Sequence, residues 1–293
     1  MFKLANLIPI ETHFKIMKRK RLFLALALAA SLGSMAICAV RGFSMGIDFS
    51  GGVLVEIKTK GRADVERMRL DLAEFSPQIQ SVGQSGDTVS IYLARGGKGE
   101  GAMLDDLNRL KSTLGPEVEY RNTQIIGPKV GRDLIESGIW AVVLSVLAIS
   151  LYIGMRFEAP FAIGSLLSLS HDVIVALAMM SIAGIDFDLT SLAALLTLAG
   201  YSINDTVVIY DRVRENLRRA GTTPFADIID RSINETFSRT ILTGLTTIIA
   251  LGAIYAWGGE TLRGFSAIML FGIAIGTWSS VFISTSALLQ FKK

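Results

Sequence analysis

Three ionisable residues interrupt long apolar stretches of this 293-residue chain: Asp172, Asp205 and Arg239. A charged side chain at the centre of a membrane helix costs about 2.5–3.5 kcal/mol on insertion scales, and such residues usually mark ion pathways or proton relays. Burial favours the protonated form of a carboxylic acid, whereas a nearby arginine favours the ionised form. An acid under both influences can load and release protons. We therefore predict a proton relay that comprises Asp205, Arg239, Asp172 and the amide of Asn204.

The predicted depths of these residues decide which of them can meet. With ~1.5 Å of rise per residue, Asp205 lies ~9 Å from the cytoplasmic end of its span and Asp172 lies ~16 Å deep in another. Arg239 stands at the cytoplasmic start of its span, and its long side chain can extend in either direction. Asp205 and Arg239 are thus expected to share a layer. The polar side chains that could hold a charge or ordered water near them are Asn204, Ser202, Thr206, Thr243, Thr246 and Thr247.

Each of the three ionisable residues also has a plainer interpretation. Arg239 alone is compatible with an ordinary arginine whose side chain extends to the cytoplasmic surface. Asp172 and its neighbour His171 are compatible with a neutral hydrogen-bonded pair that only locks helix packing. Asp205 is harder to explain in this way, because an unpaired polar group in lipid is costly. The sequence therefore favours a function most strongly for Asp205.

The composition is that of an integral membrane protein. Hydrophobic residues make up 51% of the chain and charged residues only 19%, and the mean hydropathy is +0.48. The net charge is +3, but the basic residues cluster beside apolar runs, where membrane topology requires them, so nucleic acid is not an expected partner. The single cysteine, Cys38, permits no internal disulfide and no multi-cysteine metal site. No motif indicates an enzyme, a metal centre or a nucleotide site, and no cofactor is expected.

Hydropathy predicts six transmembrane helices, since an apolar run of about 20 residues can cross ~30 Å of hydrocarbon. The first run is long for a signal peptide and lacks a clear cleavage site, so we interpret it as a retained signal-anchor helix. Basic loops on one side place both termini in the cytoplasm, and an amphipathic helix is predicted at 224–237 on that surface. The predicted order is a cytoplasmic segment 1–21, spans 22–40, 134–154, 160–183 and 189–210, a cytoplasmic segment 211–237, and spans 238–257 and 265–291, with an extracytoplasmic domain at 41–133.

The polar domain at 41–133 has the pattern of a folded α+β unit. Val53, Val55 and Ile57 alternate with more polar neighbours, which is the periodicity of a strand. Helical spacing follows at 63–75, then a hairpin at 79–94, a second helix at 103–114 and a last strand at 118–126. The order β-α-β-β-α-β is that of a ferredoxin-like split βαβ unit. No cluster of catalytic residue types occurs there, so the domain is expected to bind, to dock or to act as a spacer.

Five motifs make the sequence similar to the SecD/SecF family of bacterial protein-export membrane proteins. They are GIDFSGG (46–52), IIGPKVGRDL (125–134), HD (171–172), GYSINDTVVIYDRVREN (200–216) and SRTILTGLTT (238–247). The resemblance covers nearly the whole chain. It implies half of a transmembrane unit of the resistance–nodulation–division type, completed by SecD as partner. The family's membrane acid falls on Asp205 and its membrane arginine on Arg239, and Asp172 matches the HD pair. Gly244 stands where a serine is expected.

The function implied by this resemblance is proton-driven. Members act in the inner membrane, on the outer side of the SecY–SecE–SecG channel, and use the proton motive force on an emerging preprotein after the ATPase SecA has pushed it. One proton that crosses 100 mV supplies ~2.3 kcal/mol, which a two-state element must convert into movement. Two alternatives stay open. The chain can be a structural subunit that holds SecD in register, or an exporter of lipids or small molecules from the same superfamily.

Overall fold

The computed structural model describes residues 12–82, 86–93, 100–115, 118–219 and 221–291. They form two compact units. A helical unit contains the described residues up to Phe43, Val142–Ile185 and those from Thr190 onward, and a polar unit contains Ser44–Ala141 and Asp186–Leu189. In chain order the elements are α1 (Lys20–Arg41), α2 (Ile47–Ser50), β1 (Gly52–Lys58), α3 (Val65–Asp71), β2 (Gln78–Val82), β3 (Thr88–Leu93), α4 (Glu100–Leu114), β4 (Glu119–Ile126), α5 (Pro128–Arg156), α6 (Ala159–Ala183), α7 (Leu189–Arg219), α8 (Phe225–Trp257), α9 (Glu260–Ser279) and α10 (Thr285–Phe291), with a π-helical turn Ser280–Ser284 between the last two.

The strands of the polar unit form one antiparallel sheet in the order β2-β3-β1-β4. Strands β1 and β2 run in the same direction and lie on either side of β3. Strands β3 and β4 also run in the same direction and lie on either side of β1. Each of these split pairs is joined by a helix, α3 for the first and α4 for the second. This is the arrangement of a ferredoxin-like unit. The predicted β-α-β-β-α-β order of the domain is thereby confirmed.

One face of the sheet carries the core of the polar unit. Alternate residues of the two central strands have no solvent exposure, because successive side chains of a strand point to opposite faces. They are Val53, Val55 and Ile57 on β1 and Val89, Ile91 and Leu93 on β3. Helix α4 covers this face with Met103, Leu107 and Leu110, and the turn after α3 covers it with Leu72 and Phe75. Val65 and Met68 of α3 are half-buried against the same core. The strand alternation read from the sequence is therefore the cause of the layer structure.

Two adjacent glycines, Gly51 and Gly52, lead into β1 in conformations that other residues rarely adopt. Their φ angles are +66° and +130°, a region of backbone space that glycine enters without a steric penalty. A Cβ on Gly52 would also collide with the carbonyl oxygen of Leu93 on the neighbouring strand. The glycine pair therefore lets the chain turn directly into the centre of the sheet.

Among the residues that the structure describes, six helices are long and apolar enough to cross a membrane. In the most apolar stretch of each, 56% of the residues are buried in α7 and in the last span, but only 11% in α1 and in α5. The exposed residues of α1 and α5 include large apolar side chains such as Leu28, Leu144 and Leu147. Such an exposed apolar surface is suited to contact with lipid. The more buried α7 and the last span (Thr261–Phe291) lie inside the bundle. The predicted class, six transmembrane helices with one ferredoxin-like domain, is confirmed.

A single helix, α8, covers both the predicted surface helix at 224–237 and the predicted span at 238–257. Ile229 and Ile233 in its first part are buried in the helical core together with Val213. This apolar face therefore packs against protein, and the two predicted segments form one continuous helix. The exact limits of the bilayer along α7 and α8 stay a prediction.

The segment before α1 is bound along the first part of α8. Asp230 Oδ1 accepts hydrogen bonds from the backbone N–H groups of Ile16 and Met17, both at 2.9 Å. Four residues further on, Asn234 exchanges two hydrogen bonds with the backbone of Phe14, at 2.8 and 2.9 Å. Side chains spaced by four residues lie on the same face of a helix. These two residues of α8 therefore fix the start of α1.

We expect Gly52→Ala to destabilise the polar unit, because the new Cβ meets Leu93 and the backbone must leave a conformation suited to glycine. Backbone strain of this kind costs about 1–3 kcal/mol. Limited proteolysis of the intact protein in detergent, followed at rising temperature, will measure the loss. Gly61→Ala is the matched control, since nothing lies within 4 Å of its added Cβ. Equal resistance of the two variants would contradict the steric explanation.

Candidate functional site

The carboxylate of Asp172 joins three helices of the bundle. Asp172 lies in the middle of α6 and has no solvent exposure. Its Oδ2 accepts hydrogen bonds from Ser202 Oγ of α7 at 2.6 Å and from Ser279 Oγ of α9 at 2.7 Å. Its Oδ1 lies 3.1 Å from Nδ1 of His171. Both carboxylate oxygens are therefore satisfied, as buried polar groups in proteins generally are.

A third hydroxyl orients this cluster. Ser168 Oγ donates to Ser279 Oγ at 2.9 Å, and both groups are buried. A hydroxyl has one proton to donate and two lone pairs to accept with. Since Ser279 accepts from Ser168, its own proton is available for the carboxylate of Asp172. The cluster thus forms a short directed chain from α6 through α9 and back to α6.

Two glycines of α9 make the close approach of this helix possible. A Cβ on Gly276 would lie 3.2 Å from Cβ of Ser202 and 3.6 Å from Oδ2 of Asp172. One turn earlier, a Cβ on Gly272 would lie 2.6 Å from the side chain of Leu198. The two residues form a GxxxG pattern, which lets membrane helices pack with their backbones close together. This pattern is the surface of α9 that faces α7.

Asp205 is buried like Asp172, with 3% exposure, but it is less completely bonded. The hydroxyl of Thr277 on α9 and the guanidinium of Arg239 on α8 are close enough to act on its carboxylate. Its Oδ2 has no hydrogen-bond partner among the residues that the structure describes. One oxygen of Asp205 is therefore free to take up a proton.

Arg239 and Asp205 were predicted to share a layer, and the structure brings them within electrostatic range. They do not touch: among the described ion pairs with N···O distances up to 4.0 Å, none includes Arg239. Arg239 is exposed on the surface of α8. Its charge thus acts on Asp205 across a gap, and the strength of this interaction depends on whether the acid carries its charge.

Asn204 does not join the other predicted site residues. It is exposed, whereas the adjacent Asp205 is buried, because consecutive residues of a helix lie about 100° apart around its axis. Asn204 belongs instead to an exposed stripe of small residues on α7 at positions 193, 197, 200 and 204. These are Ala193, Thr197, Gly200 and Asn204.

The threonines of α8 that were expected to supply hydroxyls near the acids bond elsewhere. Thr243 donates to carbonyl oxygens of its own helix, at Arg239 and Thr240, and Thr246 does the same at Leu242 and Thr243. Thr247 donates to Thr243 O at 2.9 Å. Threonine in a helix commonly bonds back to the carbonyl one turn earlier. These side chains are therefore not available to Asp205.

Apart from Ser202 of α7, which the sequence analysis named, the hydroxyls that reach the acids come from the last span, which the sequence interpretation overlooked. Thr277 meets Asp205 and Ser279 meets Asp172. Ser280 Oγ accepts from Thr206 Oγ1 at 2.8 Å and lies 3.1 Å from the carbonyl oxygen of Ser202, to which it donates. The available signal was the density of hydroxyl residues in TWSSVFISTS (277–286). A polar run of this kind inside an apolar span indicates an inward face.

A π-helical turn, Ser280–Ser284, begins at the last of these hydroxyls. Tyr210 of α7 is fully buried and donates from its hydroxyl to the carbonyl oxygen of Ser284 at 3.0 Å. A Cβ on Gly164 would approach the same carbonyl oxygen at 2.8 Å. Single π-helical turns within α-helices occur frequently at functional sites. The irregular backbone of the last span is thus held by α6 and α7 next to the acids.

His171 leaves a second polar atom of the site unbonded. Its Nε2 is buried and has no hydrogen-bond partner among the described residues. The ring of Trp278 lies beside it, with centroids 5.8 Å apart. The site therefore contains one acid with full hydrogen bonding, one acid with a free oxygen, and a buried imidazole with a free nitrogen. All three lie beside side chains of residues 277–279 of α9: Thr277 for Asp205, Trp278 for His171 and Ser279 for Asp172.

This geometry is suited to proton transfer. Hydroxyl groups can donate and accept at once, and those of α9 contact both buried acids. Gain of a proton by Asp205 would remove its attraction to Arg239, and loss of the proton would restore that attraction. The charge state of one buried group can therefore change the force between α7 and α8.

Several known proteins are similar to this chain. The family model described as protein export membrane protein SecD/SecF, C-terminal, matches residues 106–293. The SecD/SecF GG motif matches residues 36–61, which include Gly51 and Gly52. Protein translocase subunit SecF of Rickettsia bellii is 42% identical over 290 residues, which is 98% of this chain and 96% of that protein. The corresponding subunit of Rickettsia felis is 41% identical over 98% of this chain and 94% of its own.

Solved structures extend the similarity to three dimensions. The crystal structure of SecDF, a translocon-associated membrane protein from Thermus thermophilus, matches with a TM-score of 0.86 and 30% identity over 97% of this chain. A SecDF structure in a super-membrane-facing form matches with a TM-score of 0.71 and 31% identity over 96% of this chain. The chain spans 39% of the length of each of these SecDF chains. The chain therefore belongs to the SecD/SecF family of protein-export membrane proteins.

Proposed function

We propose that the chain is the SecF-type subunit of the Sec protein-export machinery. With SecD it uses the proton motive force to promote late, extracytoplasmic steps of preprotein translocation through the SecY–SecE–SecG channel, after SecA has acted. Membership of the SecD/SecF family supports this role, and so does identity of 42% with SecF of Rickettsia bellii over 98% of the chain. The role is that of a transport subunit rather than an enzyme.

The distribution of charge supports a location in the bacterial cytoplasmic membrane with both termini inside. Basic residues follow α5 and α7 at one end, including Arg156, Arg214 and Arg219, and precede α1. The loop between α6 and α7 at 184–188 contains no Lys or Arg. Short loops rich in Lys and Arg remain in the cytoplasm. The polar unit then lies on the outer side of the membrane, where it can contact an emerging preprotein.

The observation that carries the proposal is the incomplete bonding of Asp205. A buried acid with one free oxygen, a single hydroxyl partner and an arginine at a distance can alternate between two charge states. Asp172 differs, because three groups already bond to its carboxylate. We assign proton exchange to Asp205 and assign Asp172 to holding α6, α7 and α9 together. Arg239 senses the charge of Asp205.

The exposed stripe on α7 supports SecD as the partner. Large apolar side chains cover the exposed faces of α1 and α5, whereas the stripe consists of Ala193, Thr197, Gly200 and Asn204. Small residues at such spacing allow close packing of a second membrane helix, and polar residues among them bond across the contact. Against lipid, the amide of Asn204 would have no hydrogen-bond partner. We therefore infer that a helix of SecD covers this stripe.

Asp205→Asn is expected to remove the part of export that depends on the proton gradient, because an amide cannot exchange the proton. One proton supplies ~2.3 kcal/mol per 100 mV, and ~1.4 kcal/mol corresponds to a factor of ten, so the fall is about tenfold or more. Export into inverted membrane vesicles, with and without a gradient, measures it. Asp71→Asn, an exposed acid of α3, is the control. An unchanged gradient dependence would refute proton exchange at Asp205.

Asp172→Ala is expected to act on stability instead. It removes the acceptor of Ser202 and Ser279, and each buried group left unsatisfied costs about 1–3 kcal/mol. Thermal unfolding of the purified protein should shift downward, whereas Asp205→Asn should unfold near the wild-type temperature. If Asp205→Asn instead prevents assembly with SecD, the acid has a structural role and the chain is a subunit that only holds SecD in register.

Gly200→Leu is expected to weaken the complex with SecD, since the added side chain fills the space that a partner helix needs. Co-purification of SecD from detergent-solubilised membranes at equal expression will measure it. Gly154→Leu is the matched control, because both glycines are exposed in transmembrane helices and nothing lies within 4 Å of an added Cβ. Equal recovery of SecD with both variants would exclude the stripe as its contact surface.

A further inference from the structure

The segment before β1 is paired with the loop that precedes α7. Within the polar unit, Phe187 N–H donates to the carbonyl oxygen of Ser44 at 2.7 Å, and Gly46 N–H donates to the carbonyl oxygen of Phe187 at 3.0 Å. These bonds form a short parallel bridge between residues Met45 and Phe187. We call residues 44–50 together with 186–189 the clamp.

Side chains of the clamp add to its backbone pairing. The rings of Phe49 and Phe187 lie with centroids 5.6 Å apart. A Cβ on Gly46 would come within 2.7 Å of Cβ of Asp188. Real Cβ atoms do not approach so closely, so glycine at position 46 is required by the contact itself. The φ of Gly46 is −65°, which other residues adopt freely, and hence steric space is the reason for glycine here.

Asp48 binds the first residue of α7 within the clamp. Its Oδ2 accepts a hydrogen bond from the backbone N–H of Leu189 at 2.9 Å. The first N–H groups of a helix have no partner inside the helix, and a negative charge at this end is favoured by the helix dipole. Asp48 therefore supplies a cap for α7 from a distant part of the sequence. Asp48 is half-buried and Leu189 is too.

The two chain segments that meet in the clamp lead to different parts of the molecule. On one side, Asp48 is followed by Gly51, Gly52 and the central strand β1. On the other side, α7 continues without interruption from Leu189 to Arg219 and carries Asp205. Asp205 stands 16 positions after Leu189, which corresponds to ~24 Å of helix. One carboxylate thus connects the start of the proton-carrying helix with the strand at the centre of the polar unit.

We propose that Asp48 is a positioning residue of the export reaction, which transmits the change at Asp205 from the start of α7 to β1. This inference rests on the proposed function and adds to it the element by which the polar unit is driven. Asp48 itself touches neither the proton nor the preprotein. Its role is to keep the first turn of α7 attached to the GG segment, so that a shift of the helix moves the strand.

The test compares Asp48→Ala with Asp48→Asn in the full chain, purified and reconstituted with SecD. Alanine removes the acceptor for Leu189 N–H, whereas asparagine keeps a side-chain oxygen and loses only the charge. We expect Asp48→Ala to reduce the gradient-dependent part of export about fivefold, which is the factor that corresponds to the free energy of one lost helix cap. Asp48→Asn should retain much of this part of export. Export without a gradient should be unchanged. Asp71→Ala, at an exposed acid of the same unit, is the control.

Gly46→Ala disturbs the same contact by a different physical route, because its Cβ meets Asp188 while Asp48 remains intact. It should reproduce the loss seen with Asp48→Ala, and Gly61→Ala should not. Limited proteolysis of the polar unit and recovery of SecD are measured on the same samples. The export rates are then normalised to the amount of folded protein that is assembled with SecD. Equal losses with and without a gradient, or normal gradient dependence in both variants, would overturn the proposal. If Asp205→Asn keeps the gradient dependence, the proposed function itself fails; if only the clamp variants keep it, the role of Asp48 fails alone.

Discussion

The hydrogen bonding of the Asp172 carboxylate is the interaction on which the arrangement of the helical unit depends. A carboxylate without water is tolerated only when its oxygens are bonded, so Ser202 of α7 and Ser279 of α9 must both come to α6, where His171 already lies beside Asp172. This requirement fixes α7 and α9 against α6. It also explains Gly276, since any side chain there would push Ser202 away. Once the three helices are held in this way, Asp205 is placed on the buried face of α7 beside Thr277.

A second constraint, steric rather than electrostatic, governs the polar unit. Gly46, Gly51 and Gly52 have different reasons to be glycine, namely a close neighbour at Asp188 for the first and positive φ angles for the other two. Between them stands Asp48, bonded to the start of α7. The GG motif therefore combines two tasks, entry of the chain into the sheet and attachment of the loop at 186–189. Both tasks are performed within the seven residues 46–52.

Much of the fold followed from periodicity. The alternation of Val53, Val55 and Ile57 required a strand with one buried face, and the order of the following patterns was sufficient to define the ferredoxin-like sheet. The bonding of hydroxyls did not follow from the sequence. Thr243 bonds to its own helix whereas Ser279 bonds to a distant acid, and this choice depends on which face of each helix is turned inward. Asn204 shows the same limit, because its adjacency to Asp205 in sequence turned it about 100° around the helix, onto the exposed side.

The contrast between the two acids bears on how a proton could do work in this protein. An acid that is fully bonded resists a change of charge, because each partner would have to reorient. Asp205 has one free oxygen and a distant arginine, so its charge can change with little local rearrangement while the force on Arg239 changes at once. Arg239 is on α8, which also holds the start of α1 through Asp230 and Asn234. If Asp205 exchanges protons as proposed, the change acts between α7 and the pair α8–α1, and Asp172 ties α7 to α6 and α9, so that these three helices move together.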